Sequence, residues 1–234
     1  MDAENPMVVR RFLIPLTLGL LVARCTDGPQ PTAVQQQQSF APALSHVLQW
    51  AGTSPPRFTW SGVLPGRGGN GRLESAAAGI SLDHYTAAFW AVRGQPRSLQ
   101  INYLSATGDT SSQFLRLTGV DPAYVPGVGD LAPGDSVLIT LTIDPASVKI
   151  SLEPTGLRFD TPAQLRISYG GANGDLNADG VVDDADAYIE TRLLGLWYRE
   201  GADSAWSQIP TAQSIAGKSF TSELPHFSEY AVSW

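Results

Sequence analysis

Six oxygen-bearing positions in one short stretch carry the clearest chemistry in this chain. In Asp175-Leu-Asn177-Ala-Asp179-Gly180-Val181-Val-Asp183-Asp184-Ala-Asp186, side-chain oxygens fall at loop positions 1, 3, 5, 9 and 12. Glycine stands at position 6, where a tight turn needs a residue without a Cβ, and Val181 offers its backbone carbonyl at position 7. That order of hard oxygen donors is the one by which a short loop wraps a single Ca²⁺. An extracellular loop of this kind binds with a dissociation constant of roughly 10⁻⁴–10⁻³ M. Mg²⁺ fits less well, because it resists dehydration and rarely accepts an all-protein cage. Asp184, at position 10, is expected to face solvent.

The same stretch explains the charge of the chain. Asp175, Asp179, Asp183, Asp184, Asp186 and Glu190 lie together with no Lys or Arg among them, and setting them aside reduces the net charge from −7 to −1. Acidity is therefore a property of one loop. A chain without a basic face offers nothing to the phosphates of nucleic acid.

Other candidate chemistry is thin. His46, His84 and His226 are scattered, and no Gly-x-Ser-x-Gly elbow accompanies Asp83-His84. The Gly66–Gly71 stretch lacks the Lys-Ser/Thr ending of a phosphate loop. A non-enzymatic protein is expected. Six tryptophans raise the possibility of sugar stacking. Trp90, Trp197 and Trp234 lie in strand-like settings and read as core, Trp206 reads as the exposed candidate, and Trp50 and Trp60 read as packing the outer face.

The elements that must position the loop read as strands. Leu99, Ile101 and Tyr103 alternate with polar residues. So do Val137, Ile139, Leu141 and Ile143, then Val148, Ile150 and Leu152, then Leu165, Ile167 and Tyr169, and finally Tyr230, Val232 and Trp234. Period-two runs divided by Pro, Gly and Asp turns predict an all-β fold, an antiparallel β-sandwich over residues 95–234. The calcium loop, at 173–190, is then an insertion between Tyr169 and Leu194. Residues 59–94 read as an irregular lead-in that could hold the first strands.

The N-terminus reads as an export signal. Arg10-Arg11 precede a twelve-residue apolar run, Phe12 to Ala23, which suits a signal core and is too short to span a bilayer. Residues 26–58 contain the run Gln35 to Gln38 and recurrent prolines, and read as a disordered Gln/Pro-rich linker, with a short helical turn near Ala43–Trp50 compatible with its pattern.

Three resemblances add to this reading. Leu21-Val-Ala-Arg-Cys25 resembles a bacterial lipoprotein signal over residues 1–25, with Arg24 where that family has a small residue. The resemblance implies lipidation of Cys25, a membrane anchor, and a place at the outer membrane, cell surface or periplasm, with secretion as the alternative. The segment Ile150 to Tyr169 and the ending His226-Phe-Ser-Glu-Tyr-Ala-Val232 are similar to the β-sandwich domain of ankyrins, netrin receptors and bacterial surface proteins. This implies a structural or interaction module without catalytic residues. Asp175, Asn177, Asp179, Gly180, Asp183 and Asp186 resemble one EF-hand-like calcium repeat of a dockerin, where two such repeats are usual. The partner expected on this basis is an unknown envelope protein or glycan, and the alternative role is a carbohydrate-binding or dockerin-like adaptor.

Overall fold

In the computed structural model, the described residues are 44–65, 82–83, 85–104 and 110–234. The signal-like segment, Cys25, the glutamine run, the Gly66–Gly71 stretch and His84 lie outside them. Among the described residues no helix is long and apolar enough to cross a membrane.

The first seven strands are β1 (Arg57–Pro65), β2 (Leu82–Asp83), β3 (Thr86–Val92), β4 (Arg97–Leu104), β5 (Thr110–Val120), β6 (Pro122–Val125) and β7 (Gly129–Asp130). Next come β8 (Ser136–Ile143), β9 (Lys149–Glu153) and β10 (Arg158–Ser168). After a helical turn α1 (Asp184–Tyr188), the chain forms β11 (Gly195–Arg199), β12 (Ser207–Gln208), β13 (Ala212–Ser214), β14 (Ser219–His226) and β15 (Glu229–Ser233). All pairings are antiparallel. One sheet runs β1-β4-β5-β10-β14-β13, with β6 pairing β10 and β7 pairing β6; the other runs β12-β11-β15-β9-β8-β3-β2. The two sheets pack face to face as a β-sandwich, as the alternation predicts.

The period-two reading accounts for the core. Leu99 and Ile101, Leu115 and Leu117, Ile139 and Leu141, Ile150 and Leu152, and Leu165 and Ile167 are all buried between the sheets. Each contributes about 1.5–3 kcal/mol of transfer free energy on leaving water. Tyr230 fixes the final corner as well, its buried hydroxyl donating to the His226 carbonyl at 2.6 Å.

Three expectations are corrected. First, the linker does not extend to residue 58. Leu48 and Trp50 are buried in the core, and His46 stacks on Trp234 with ring centroids 4.0 Å apart. The segment is not helical. It forms isolated bridges, and its backbone bonds to both ends of the fold: Leu48 N donates to Val232 O, Val148 N to Leu48 O, and Asn173 N to Gln49 O. Second, Trp50 does not pack the outer face, but joins Phe58, Tyr103 and Phe114 in an aromatic cluster; the side chain of Trp60 is outside the described set. Third, Trp90 is not core. It stands 52% exposed beside the exposed Leu138 opposite it on β8, whereas Trp206 is half-buried beneath the Arg199 guanidinium. Phe89 and Ala91 take the inward positions of β3, so strand alternation turns Trp90 outward.

The turn after β8 clamps the N-terminal segment. Asp144 accepts N–H bonds from Ala146 and Ser147 on one oxygen, meets Lys149 Nζ at 2.9 Å on the other, and receives Trp50 Nε1 on its carbonyl. Burial works against this carboxylate's charge, but the Ala146 and Ser147 N–H groups and the Lys149 ammonium together hold it below the ordinary range. A depressed folded-state pKa means its stabilisation is complete above the unfolded value of about 4 and is lost as pH falls through the folded one. Denaturant melts at pH 6 and pH 3 should therefore show a smaller acid loss in Asp144→Asn than in the wild type.

Candidate metal centre

The insertion leaves the core at Tyr169 and returns at Leu194, both buried. It thereby links β10 of one sheet to β11 of the other. Its first turn is packed tightly: a Cβ at Gly171 would lie 2.8 Å from the Tyr103 ring, so only glycine fits there. Beyond it, Leu176 packs against the core and its carbonyl receives Trp234 Nε1 at 3.1 Å.

Residues 175–186 then turn on bonds from their own side chains to nearby backbone. Asp175 accepts from Asp179 N at 3.1 Å and Gly180 N at 2.8 Å. Asn177 Oδ1 also accepts from Asp179 N, and its amide donates to Asp179 Oδ2. Asp179 Oδ1 accepts from Val181 N. Gly180 sits at φ +91°, the left-handed conformation that the sharp turn requires. These side-chain-to-backbone bonds are the way Asp and Asn replace regular pairing in a turn.

The exit is a helix start. Asp183 is the N-cap of α1 and accepts from Ala185 N at 2.8 Å, while Asp186 reaches back to Asp183 N at 2.9 Å. This is a capping box with aspartate at both ends. Asp186 has a second engagement: its other oxygen accepts from Leu176 N at 2.6 Å and Asn177 N at 3.2 Å. One buried carboxylate, 3% exposed, thus joins the beginning of the loop to the helix that ends it. The N–H donors of Asp183, Leu176 and Asn177 outweigh desolvation and hold Asp186 below the ordinary carboxylate range. After α1 the chain widens into a π-helical turn, Ile189–Leu193; Ile189 is buried, and Leu193 is exposed.

The sequence signal for this clasp was available. Asp183-Asp-Ala-Asp186 ahead of Ile189 has the spacing of a capping box, a reading that makes Asp186 an N3 residue as well as loop position 12. Asp184 and Val181 are exposed, and so is the Val182 that follows.

The residues fit a hard cation by donor chemistry and by chain path. All six are oxygen donors, and the glycine turn and helix start fall at the loop positions that such a site needs. The carboxylates do not converge: among the described residues, no three His, Cys, Asp or Glu side chains gather closely enough to hold a metal ion. Backbone N–H groups bond them individually, leaving their charge in place. Asp175 and Asp183 accept no more than one of these bonds on each oxygen and so keep lone pairs for a cation. Asp186 Oδ1 already accepts two, and Asp186 has only its other oxygen, which Asp183 N shares, to offer. A pocket of about 150 Å³ separates the loop from the sandwich, lined by Tyr169, Leu176, Val182, Asp183, Asp186 and Glu190 among others.

Comparison with protein-family models, with curated proteins and with solved structures found no match for this chain.

Proposed function

We propose that this chain is a non-enzymatic, calcium-binding protein of the cell envelope, in which a β-sandwich serves a structural or adhesive role. Asp175, Asn177, Asp179, Asp183 and Asp186 would hold Ca²⁺ through side-chain oxygens, and Val181 through its carbonyl. The ion would supply charge neutralisation, not catalysis. The observation that carries this reading is the placement of an oxygen-rich loop, closed by Asp186, in the connection that joins the two sheets. A cation there stiffens a long crossover against five mutually repelling aspartates. The signal-like sequence of residues 1–25 with its Cys25 supports an envelope location, with the membrane reached through a lipid on that cysteine.

Thermal and denaturant melts of the chain with and without Ca²⁺ provide the test. For a dissociation constant of about 10⁻⁴ M, roughly 10 mM Ca²⁺ is a hundredfold excess and should add about 2.7 kcal/mol of stability. Calorimetric titration should give saturable heat that is lost in Asp175→Ala. An unchanged melting temperature at that concentration, with no heat of binding, refutes the reading.

A further inference from the structure

At the far end of β10 from the loop lies a second concave surface. The eleven residues of β10 span roughly 30 Å, so the two places are independent. This cleft has a volume of about 480 Å³, within the range of small-ligand sites, and is lined by Arg93, Tyr124, Asp130, Arg158, Phe159 and Asp160 among others.

Its residues divide into a fixed wall and an uncommitted pair. Arg93 belongs to the wall. Its guanidinium bonds Asp160 and lies 3.5 Å from Asp121. Its backbone N–H donates to Asp135 O, its carbonyl accepts from Gly134 N, and Asp121 also accepts from Gly94 N. Arg158 and Asp130 are different. Both are exposed, and among the described residues neither side chain has an ion-pair or hydrogen-bond partner. Strand register aligns them: Arg158 is opposite Tyr124 on β6, and Tyr124 is opposite Asp130 on β7. Directly opposed residues share a face of the sheet. The Arg158 guanidinium lies over the Tyr124 ring at 5.3 Å, which holds the cation at the cleft without neutralising it.

Such a row sets demands on a ligand. Arginine only donates and an ionised aspartate only accepts, so the ligand must offer acceptors and donors side by side. Between them an aromatic side chain favours an apolar surface. A polyphosphate or sulfated chain would meet Asp130 and Asp160 as well as the arginines, and like charge disfavours it. A purely apolar ligand would strip water from Arg158 and Asp130 without replacing their bonds. A sugar ring meets every demand, since its hydroxyls both donate and accept while its C–H face is apolar.

We propose that this cleft is a carbohydrate-binding site, in which one pyranose lies by Tyr124 and shares its hydroxyls between Arg158 and Asp130. This goes beyond the calcium reading and does not rest on it.

The test is an array of neutral and uronic-acid oligosaccharides probed with the full chain, followed by calorimetry on the glycans retained. At least one glycan should bind, and Asp130→Asn and Arg158→Gln should each weaken it tenfold or more. Melting temperatures identify any variant that fails to fold, and Asp175→Ala should leave glycan affinity unchanged, so failure of the calcium site and failure of the cleft are read separately. The proposal is overturned if the array stays blank, if the near-isosteric Asp130→Asn and the shorter, neutral Arg158→Gln bind as the wild type does, or if free amino acids bind while no glycan does.

Discussion

Trp50→Ala is expected to destabilise the sandwich by about 3–5 kcal/mol, the cost of removing a large aromatic side chain from a packed core. The indole is 6% exposed and touches aromatic rings from three strands, with centroids 5.9 Å from Phe58, 6.2 Å from Tyr103 and 5.5 Å from Phe114. Its Nε1 also donates to Asp144 O at 2.9 Å, so truncation leaves that carbonyl without its side-chain donor. Because Trp50 N bonds Ala146 O and Ala51 N bonds Gly171 O, the loss loosens the start of the connection that carries the acidic loop. Trp90→Ala is the control. With half its surface already in water, it should change stability by no more than about 0.5 kcal/mol. Urea denaturation followed by circular dichroism reads both. A Trp50→Ala cost below about 1 kcal/mol would mean that residues 44–51 are not part of the cooperative unit.

The contrast between those two tryptophans shows what the sequence made legible. Alternation in β8, β9 and β10 could be read directly, since one side of each strand is almost purely aliphatic and a half-buried sheet imposes that period, whereas β15 buries residues on both faces. In β3 the pattern was equally present, with Ala87, Phe89 and Ala91 inward, but the size of Trp90 argued for the wrong face. Leu48 and Trp50 were hidden for another reason. They follow a Gln- and Pro-rich stretch, and their partners lie mostly far along the chain, Val148 and Val232 for Leu48 and Tyr103 and Phe114 for Trp50, which no local pattern contains. The position of the loop between Tyr169 and Leu194 was legible because turn residues and strand runs bracket it. The Arg158, Tyr124 and Asp130 row was not, because it exists only through the pairing register of β10 with β6 and β6 with β7.

Asp186→Ala is expected to have the largest effect of any loop substitution on the chain without added metal. Removal of its carboxylate orphans three backbone donors at once, Leu176 N, Asn177 N and Asp183 N, and undoes the capping box at the start of α1. An unmade bond at a buried group costs more than the bond contributes when made, so the loop should open locally even where the sandwich remains folded. Amide exchange at Leu176, Asn177 and Asp183 should then quicken by an order of magnitude or more. Asp184→Ala, one turn position away and exposed with no bond to lose, should leave those amides unchanged. Asp175→Ala separates two roles: it orphans Gly180 N and leaves Asp179 N with Asn177 Oδ1 alone, and should abolish the Ca²⁺ response while the Asp186 amides stay protected. Slow exchange in all three variants would show that the loop is held by packing at Leu176 and Ile189 alone. The expected pattern instead makes Asp186 the residue through which ion binding at the tip would reach the sandwich. Among the described residues it is the one acid that bonds both the first turn of the loop and the start of the helix that follows it.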